Sequence, residues 1–201
     1  MTVTLHQPIA DGVWRPEDIE SDEPIKYEIV DGNLVLMAPM KSLWHQVLIR
    51  SLVRVLDNAA PEGYEALPEL TIGYFRPGAT KETLREPDVV VLRPGAQARP
   101  RNVFDPQEVA LVVEVESPST TAIDRKDKVD EYARAGIACY WRVEQFAGNH
   151  AIVHIYEIDP ITSEYKLVRA IGPKEKFLTQ APYPVMIDPA ELTARLDGET
   201  S

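Results

Sequence analysis

Two uninterrupted apolar runs, residues 89–92 and 109–113, most strongly limit how this chain can fold. Both runs are rich in valine and contain no polar or charged residue. A strand with one solvated face alternates apolar and polar residues, whereas a strand covered on both faces is apolar throughout. The two runs therefore predict strands that are buried on both faces of a central sheet.

Carboxylates stand directly at the ends of these two runs. Asp88 immediately precedes the first run, and Glu114 immediately follows the second, 26 residues later. Strand alternation points Glu114 and Glu116 to one face and Val115 to the other. Hard cations such as Mg²⁺ or Mn²⁺ take carboxylate and carbonyl oxygens as ligands. Asp88, Glu114 and the backbone carbonyl of Val115 are therefore candidate metal ligands.

Helical periodicity appears twice in the chain, and a third helix is signalled by its cap. Apolar residues at three- and four-residue steps predict an amphipathic helix over 42–58, which Pro61 and Gly63 end. A second helix is predicted over 121–135, because Gly136 is a typical residue after a helix end. Asp188 followed by Pro189 predicts the start of a short C-terminal helix.

The remaining segments predict strands and turns. An Asp-Gly pair at 31–32 predicts a hairpin whose first strand carries Glu28. Residues 64–74 predict a strand with a break at Pro68, followed by a polar loop as far as Glu86. Three later strands are predicted at 139–143, 152–158 and 165–171. Residues 1–24 predict an irregular arm with one short helix that starts near residue 15.

The composition is that of a single globular domain. The chain has 201 residues, of which 44% are hydrophobic and 26% charged, and it contains no internal repeat. We therefore predict an N-terminal arm over 1–24, one domain over 25–190 and a C-terminal tail over 191–201. The apolar runs are too short to span a membrane and no signal peptide is visible, so we expect a cytoplasmic protein without membrane contact. Cys139 is the only cysteine, which excludes an intrachain disulfide and suggests a buried strand residue.

The net charge of −11 argues against a broad basic surface of the kind that holds duplex DNA. Seven acids against one base fall between residues 17 and 31, so much of the excess lies in one N-terminal block. Basic residues gather elsewhere, at Arg99, Arg101, Arg125, Lys126, Lys128 and Arg134. A homodimer would let two copies pool these residues across one duplex.

An ordered set of short motifs between residues 25 and 145 resembles the Uma-type family of endonucleases. The motifs are Glu28-Ile-Val-Asp-Gly, Met37-Ala-Pro with His45, Arg85-Glu-Pro-Asp88-Val-Val-Val, Leu111-Val-Val-Glu114-Val-Glu-Ser117-Pro-Ser-Thr120, Asp124-Arg-x-x-Lys128, Tyr132-Ala-x-Ala-Gly136-Ile and Tyr140-Trp141. Each motif alone is weak, and their order makes the resemblance specific.

The resemblance implies the restriction-endonuclease-like fold of the PD-(D/E)XK superfamily, which is a mixed α/β core with a central sheet flanked by helices. In this chain, Asp88 matches the PD aspartate and Glu114 the first acid of the (D/E)XK element. Glu116 stands where the wider superfamily has lysine, and the resemblance suggests that Lys128 substitutes for it from the following helix. Asp124 lies four residues before Lys128, so both share one helix face. The implied activity is metal-dependent hydrolysis of phosphodiester bonds in nucleic acid, with DNA as the expected partner.

The sequence leaves several roles open. Glu28 and Glu116 are candidates for a second metal site, although Glu28 equally fits the hairpin surface and Glu116 an ion pair with Arg125 or Lys128. His45 fits a capping role, a hydrogen bond behind the site or catalysis. Tyr132 and Trp141 fit core or interface aromatics. At the level of function, two alternatives remain, a catalytically silent interaction module and a metal-dependent hydrolase of small phosphate compounds.

Overall fold

The computed structural model describes residues 3–5, 12–15, 18–21, 27–36, 42–76, 78–116 and 122–196. Within these ranges, residues 3–5, 20–21 and 122–127 are described by their backbone alone. The strands are β1 (Val3–Leu5), β2 (Ile19–Ser21), β3 (Tyr27–Val30), β4 (Asn33–Leu36), β5 (Glu65–Pro68), β6 (Thr71–Phe75), β7 (Glu82–Arg85), β8 (Val89–Leu92), β9 (Val103–Phe104), β10 (Val109–Glu116), β11 (Cys139–Phe146), β12 (His150–Ile158), β13 (Tyr165–Ile171), β14 (Phe177–Thr179) and β15 (Val185–Ile187). The helices are α1 (Leu43–Ala59), α2 (Ala122–Arg134) and α3 (Pro189–Thr193).

The two apolar runs lie side by side in a six-stranded sheet of order β13-β12-β11-β10-β8-β5. Strands β8 and β10 are antiparallel, with Val89 opposite Val113, whereas β10 and β11 are parallel. All four residues of β8 are buried, as are the first five of β10. The prediction of a mixed central sheet with two strands covered on both faces is therefore confirmed.

Helix α1 covers one face of this sheet. Its apolar side chains Trp44, Leu48, Leu52 and Leu56 share a core cluster with Val113 of β10. The helix begins after Ser42, whose extended backbone and side-chain oxygen cap the first turn, and it ends at Ala59 shortly before Pro61. The predicted helix over 42–58 is confirmed to within a residue at each end.

Helix α2 and a second sheet cover the opposite face. The second sheet has the order β4-β3-β7-β6-β9. Ile72 and Tyr74 of β6 pack with Tyr132 of α2 against Val90 and Val112 of the central sheet. The predicted hairpin is β3 and β4, and both turn residues, Asp31 and Gly32, have positive φ angles of 49° and 76°. This layer brings strands β3 and β7 next to α2.

The C-terminal half follows the predicted order of elements. Helix α2 ends before Gly136, whose φ of +81° is the left-handed conformation expected after a helix end. Strands β11, β12 and β13 lie at the predicted positions, and the first two are longer than predicted. Asp188 caps α3 by accepting from the amide of Ala190 at 3.0 Å. The helix continues past residue 190, where the sequence suggested the start of a tail, and its Leu192 is buried in the core.

Two segments differ from the prediction, and a third lies partly outside the described residues. The polar loop expected before Glu86 contains strand β7, which was missed because its residues Glu-Thr-Leu-Arg lack an apolar alternation although the last three are buried. The arm predicted to be irregular contains β1 and β2, which pair antiparallel with each other. The helix predicted near residue 15 falls partly outside the described residues, although the Arg15 amide donates to Asp18 Oδ2 at 2.8 Å in a local turn.

In the described part of the chain, every helix is too short or too polar to cross a lipid bilayer.

Candidate active site

Asp88 and Glu114 lie next to each other at one end of the central sheet. The antiparallel register that pairs Val89 with Val113 places Asp88 beside Glu114 one position further along. Asp88 is 5% exposed, and its Oδ2 accepts a hydrogen bond of 2.8 Å from the Val115 amide. The fold therefore brings together the two acids that the sequence singled out.

His45 approaches Asp88 from helix α1. Its Nε2 lies 3.2 Å from Asp88 Oδ2, and its side chain is 8% exposed. Its Nδ1 is buried and has no hydrogen-bond partner among the described residues. Since the Ser42 hydroxyl caps α1 by accepting from the His45 amide, the capping role considered for His45 is wrong. The imidazole contacts the carboxylate of the site instead.

Glu114 receives two hydrogen bonds from helix α2, both at Oε1. The Tyr132 hydroxyl donates at 2.8 Å, and Lys128 Nζ donates at 3.2 Å. Burial raises the pKa of Glu114, the Lys128 charge opposes this, and the charges of Asp88 and Glu28 raise the pKa further. The net pKa lies above the usual value, so a carboxylate at this position needs positive charge nearby.

Lys128 lies between two acids. Its side chain is 9% exposed, and Nζ is 3.2 Å from Glu28 Oε1 as well as from Glu114 Oε1. Lysine is almost never buried without a partner, because its ammonium group is costly to desolvate. The ammonium group of Lys128 therefore lies at the end of β10, beside Glu114. The resemblance suggests that it substitutes there for the strand lysine, and this catalytic role stays a prediction.

Glu28 belongs to a buried ion-pair network and does not lie on the hairpin surface. It is 1% exposed, and its Oε2 accepts from Arg85 Nη1 at 2.6 Å. Arg85 also donates from Nε and Nη2 to the two carboxylate oxygens of Glu131, at 2.8 and 2.9 Å. Burial alone would raise the pKa of Glu28, but Lys128 and Arg85 lower it below the usual value. Glu28 is therefore ionised at neutral pH.

Glu116 contacts an arginine that the sequence did not suggest. Its Oε1 lies 3.7 Å from Nε of Arg142, which is on the neighbouring strand β11. This contact is possible because β10 and β11 pair in parallel, with Arg142 opposite Glu114. The local sequence does not predict that pairing. Lys128 contacts Glu28 and Glu114, while the side chains of Arg125 and Asp124 lie outside the described residues.

Three residues of the site were not identified from the sequence. The sequence predicts core or interface aromatics at Tyr132 and Trp141. Both are fully buried, and Tyr132 also donates to Glu114. The four-residue spacing between Lys128 and Tyr132 on α2 was a usable signal. Arg85 belongs to the motif around Asp88, but its contact with Glu131 joins residues 46 positions apart and has no signal in the sequence.

The basic residues grouped in the sequence do not share one environment in the described part of the chain. Lys128 is buried between acids, and Arg99 contacts Glu82 at 2.8 Å and Asp105 at 3.0 Å. Arg101 and Arg134 are exposed. The side chains of Arg125 and Lys126 lie outside the described residues.

The oxygen atoms at the strand ends are of the type that hard cations bind. Among the described residues, no three Asp, Glu, His or Cys side chains are arranged to hold a metal ion. Two carboxylates nevertheless converge, and in the described part no hydrogen bond reaches Oε2 of Glu114. The amide and carbonyl of one strand residue point to the same side, so the Val115 carbonyl faces the side of Asp88. Asp88, Glu114 and this carbonyl fit a Mg²⁺ or Mn²⁺ ion that keeps several waters.

Comparison with known proteins places this chain in a family. A search of curated proteins found no match. Among solved structures, the chain is similar to a protein from Anabaena variabilis ATCC 29413, described as a “putative nuclease belonging to DUF820”. The TM-score is 0.62 at 16% sequence identity, over 87% of this chain and 94% of that one, which establishes a shared fold. The model of the Uma2 family, described as “Putative restriction endonuclease”, matches residues 15–186. Because this match spans most of the chain, the protein belongs to the Uma2 family.

Proposed function

We propose that the protein is a divalent-metal-dependent endonuclease that hydrolyses phosphodiester bonds in DNA. The observation that carries the proposal is the convergence of Asp88 and Glu114 at one sheet end, with the ammonium group of Lys128 3.2 Å from Glu114. Two acids and one amine are the protein groups that such hydrolysis uses. Membership of a nuclease family supports the same reaction class.

Each residue would have a distinct task. Asp88, Glu114 and the Val115 carbonyl would hold the Mg²⁺ or Mn²⁺ ion, which supplies Lewis-acid polarisation of the phosphoryl group and acidification of water. His45 and the Val115 amide fix the Asp88 carboxylate, and Tyr132 fixes that of Glu114. Lys128 would stabilise the negative charge that develops on the phosphoryl oxygens.

The acidic surface makes the proposed ion important for binding as well as for chemistry. A protein with a net charge of −11 gains little from phosphate neutralisation. The Asp88–Glu114 pair would itself repel a phosphate group. A divalent ion between the acids and the phosphate reverses this repulsion, so we expect DNA binding to require the ion.

The test is cleavage of plasmid and oligonucleotide DNA in Mg²⁺ or Mn²⁺. We expect the wild-type protein to cleave, and Asp88→Asn and Glu114→Gln to lose at least about a hundredfold in rate. Glu191→Gln is the matched control, because this acid is exposed, pairs only loosely with Arg54 and lies on α3. Its activity should equal that of the wild type.

Two outcomes would replace the proposal. If the protein binds the ion but turns over only small phosphoesters, it is a metal-dependent hydrolase of small phosphate compounds. If calorimetry finds no ion binding and neither DNA nor RNA is cleaved, it is a catalytically silent interaction module on the nuclease fold.

A further inference from the structure

We infer that Glu28 is a positioning residue for Lys128 and not a metal ligand, and that Arg85, fixed by Glu131, holds Glu28 in place. This inference rests on the proposed function, because Lys128 is the group whose position matters for cleavage. It assigns a task to three buried charged residues that the candidate metal site leaves unexplained. It also reduces the expected metal content to a single ion between Asp88 and Glu114.

Both oxygens of Glu28 face cations of the protein. Oε1 lies 3.2 Å from Lys128 Nζ, and Oε2 lies 2.6 Å from Arg85 Nη1. The carboxylate is 1% exposed. A metal ion at Glu28 would have to displace one of these cations and break a buried ion pair, leaving Lys128 only its contact with Glu114 or Arg85 only its contact with Glu131. The geometry therefore favours a structural anion over a metal ligand.

The position of Glu28 is itself fixed by the fold. Strands β3 and β7 are antiparallel with Ile29 opposite Leu84, so Glu28 and Arg85 form a cross-strand pair. The guanidinium group of Arg85 makes a bidentate hydrogen bond with the carboxylate of Glu131. Glu131 also accepts a hydrogen bond of 3.0 Å from the Tyr74 hydroxyl. Bidentate arginine–carboxylate pairs fix the orientation of both groups as well as balancing their charges.

The contacts close a ring that returns to Lys128. Glu131 and Lys128 are three residues apart on α2 and lie on the same face of that helix. The ring runs from Lys128 to Glu28, on to Arg85 and Glu131, and back along α2. Lys128 is therefore held by a rigid frame that includes the second sheet, and its ammonium group is directed at the strand end.

A second anchor is needed because Glu114 has two tasks. When Glu114 binds a cation, its attraction for Lys128 is reduced by the charge of that cation. Glu28 keeps the ammonium group in place in this state, since its own charge is not shared with the metal ion. Without Glu28, Lys128 would be repelled by the cation and could turn away from the strand end.

The test compares Glu28→Gln, Lys128→Met and the double variant. We expect Glu28→Gln to lower kcat by about tenfold while KM and the calorimetric affinity for Ca²⁺, at one ion per chain, stay unchanged. We expect the double variant to be no slower than Lys128→Met, because Glu28 acts through Lys128. Glu82→Gln is the matched control, since Glu82 pairs with Arg99 on the same second sheet, away from Lys128.

A readout independent of activity is the rate at which Lys128 is acetylated, followed by mass spectrometry. Glu28→Gln should speed acetylation of Lys128, because the amine loses the carboxylate that holds it in its buried position, and Glu82→Gln should not. If wild-type protein cleaves no nucleic acid, the proposed function fails, and the acetylation rate still decides whether Glu28 holds Lys128. Weaker Ca²⁺ binding, a second bound ion that Glu28→Gln removes, additive losses in the double variant or an unchanged acetylation rate would each overturn the inference.

Discussion

Tyr132 shows how one residue serves the core and the site together. Its ring is fully buried against Tyr140, with ring centroids 6.0 Å apart, and its hydroxyl donates to Glu114 at 2.8 Å. Burial raises the pKa of Tyr132, and the charges of Glu114 and Glu28 raise it further, so the hydroxyl stays protonated and remains a donor. Tyr132 and Lys128 therefore donate to the same oxygen of Glu114.

We expect Tyr132→Phe to slow DNA cleavage by about tenfold, equivalent to about 1.4 kcal/mol, because Glu114 loses a fixed donor while the core keeps its ring. The measurement is kcat under saturating DNA. Tyr140→Phe is the control, since Tyr140 is buried beside Tyr132 and its hydroxyl makes no hydrogen bond within the described residues. Equal losses in both variants would show that the Tyr132 hydroxyl acts only through packing.

Cys139 is expected to be unreactive in the folded protein. It is 3% exposed on β11, and burial, followed by the charge of Glu157, raises its pKa to about 12. At pH 8 only about one thiol in ten thousand would be the reactive thiolate. Ellman's reagent should therefore label it only after urea unfolds the chain. Rapid labelling in native buffer would contradict this burial, and the sequence interpretation of Cys139 as a buried strand residue with it.

At the level of elements, the sequence predicts best where burial is uniform or periodic. Strand β8, strand β10 and helix α1 were predicted because their apolar patterns report directly which faces are covered. The sequence does not predict β7, because its buried face carries the polar residues Thr83 and Arg85. Their polar groups are hydrogen-bonded to residues of other elements. Such compensation depends on residues far away in the chain, so local pattern cannot reveal it.

Strand β6 contains Gly73, and the neighbouring strand β9 leaves no room for a side chain there. A Cβ atom at Gly73 would meet Val103 at 2.6 Å and would also collide with the Arg99 guanidinium group, which donates to the Gly73 carbonyl. We expect Gly73→Ala to lower the free energy of unfolding by about 1–3 kcal/mol, because β9 must move away. Urea unfolding followed by circular dichroism measures this.

The control for Gly73 is Gly172→Ala. No atom lies within 4 Å of a Cβ built at Gly172, so its replacement should leave the urea midpoint nearly unchanged. A Gly73→Ala midpoint equal to that of the wild type would mean that β9 adjusts freely to the added methyl group. In that case the Arg99 contact with β6 would not hold this edge of the second sheet.

For the whole molecule, the two halves of the site differ in how far they could be predicted. Asp88 and Glu114 flank apolar runs, so the sequence identifies them, and the antiparallel register of β8 and β10 brings them together. The frame behind Lys128 depends on contacts between β3, β7 and α2 over 46 and 57 positions. Only the tertiary packing of the second sheet creates it, and no spacing in the sequence reports it.

The predicted homodimer has a candidate surface at the edge of the central sheet. Strand β13 is the terminal strand of that sheet, and five of its seven residues, Lys166 to Ala170, are exposed. Leu167 and Val168 are apolar side chains with 53% and 46% exposure. Exposed edge strands with apolar residues pair readily with other strands, and a two-fold dimer lets β13 pair with its own copy.

We expect light scattering after size exclusion to give twice the chain mass of 22.5 kDa, and Leu167→Glu to give 22.5 kDa, because a charge at the edge would oppose self-pairing. Ile161→Glu is the control, since Ile161 is 91% exposed in the turn before β13 and outside the paired edge. A monomeric wild type across micromolar concentrations would contradict the dimer. Pairing by β13 would also be excluded if Leu167→Glu remained dimeric, because its carboxylate would then have to lie at the interface between the two copies.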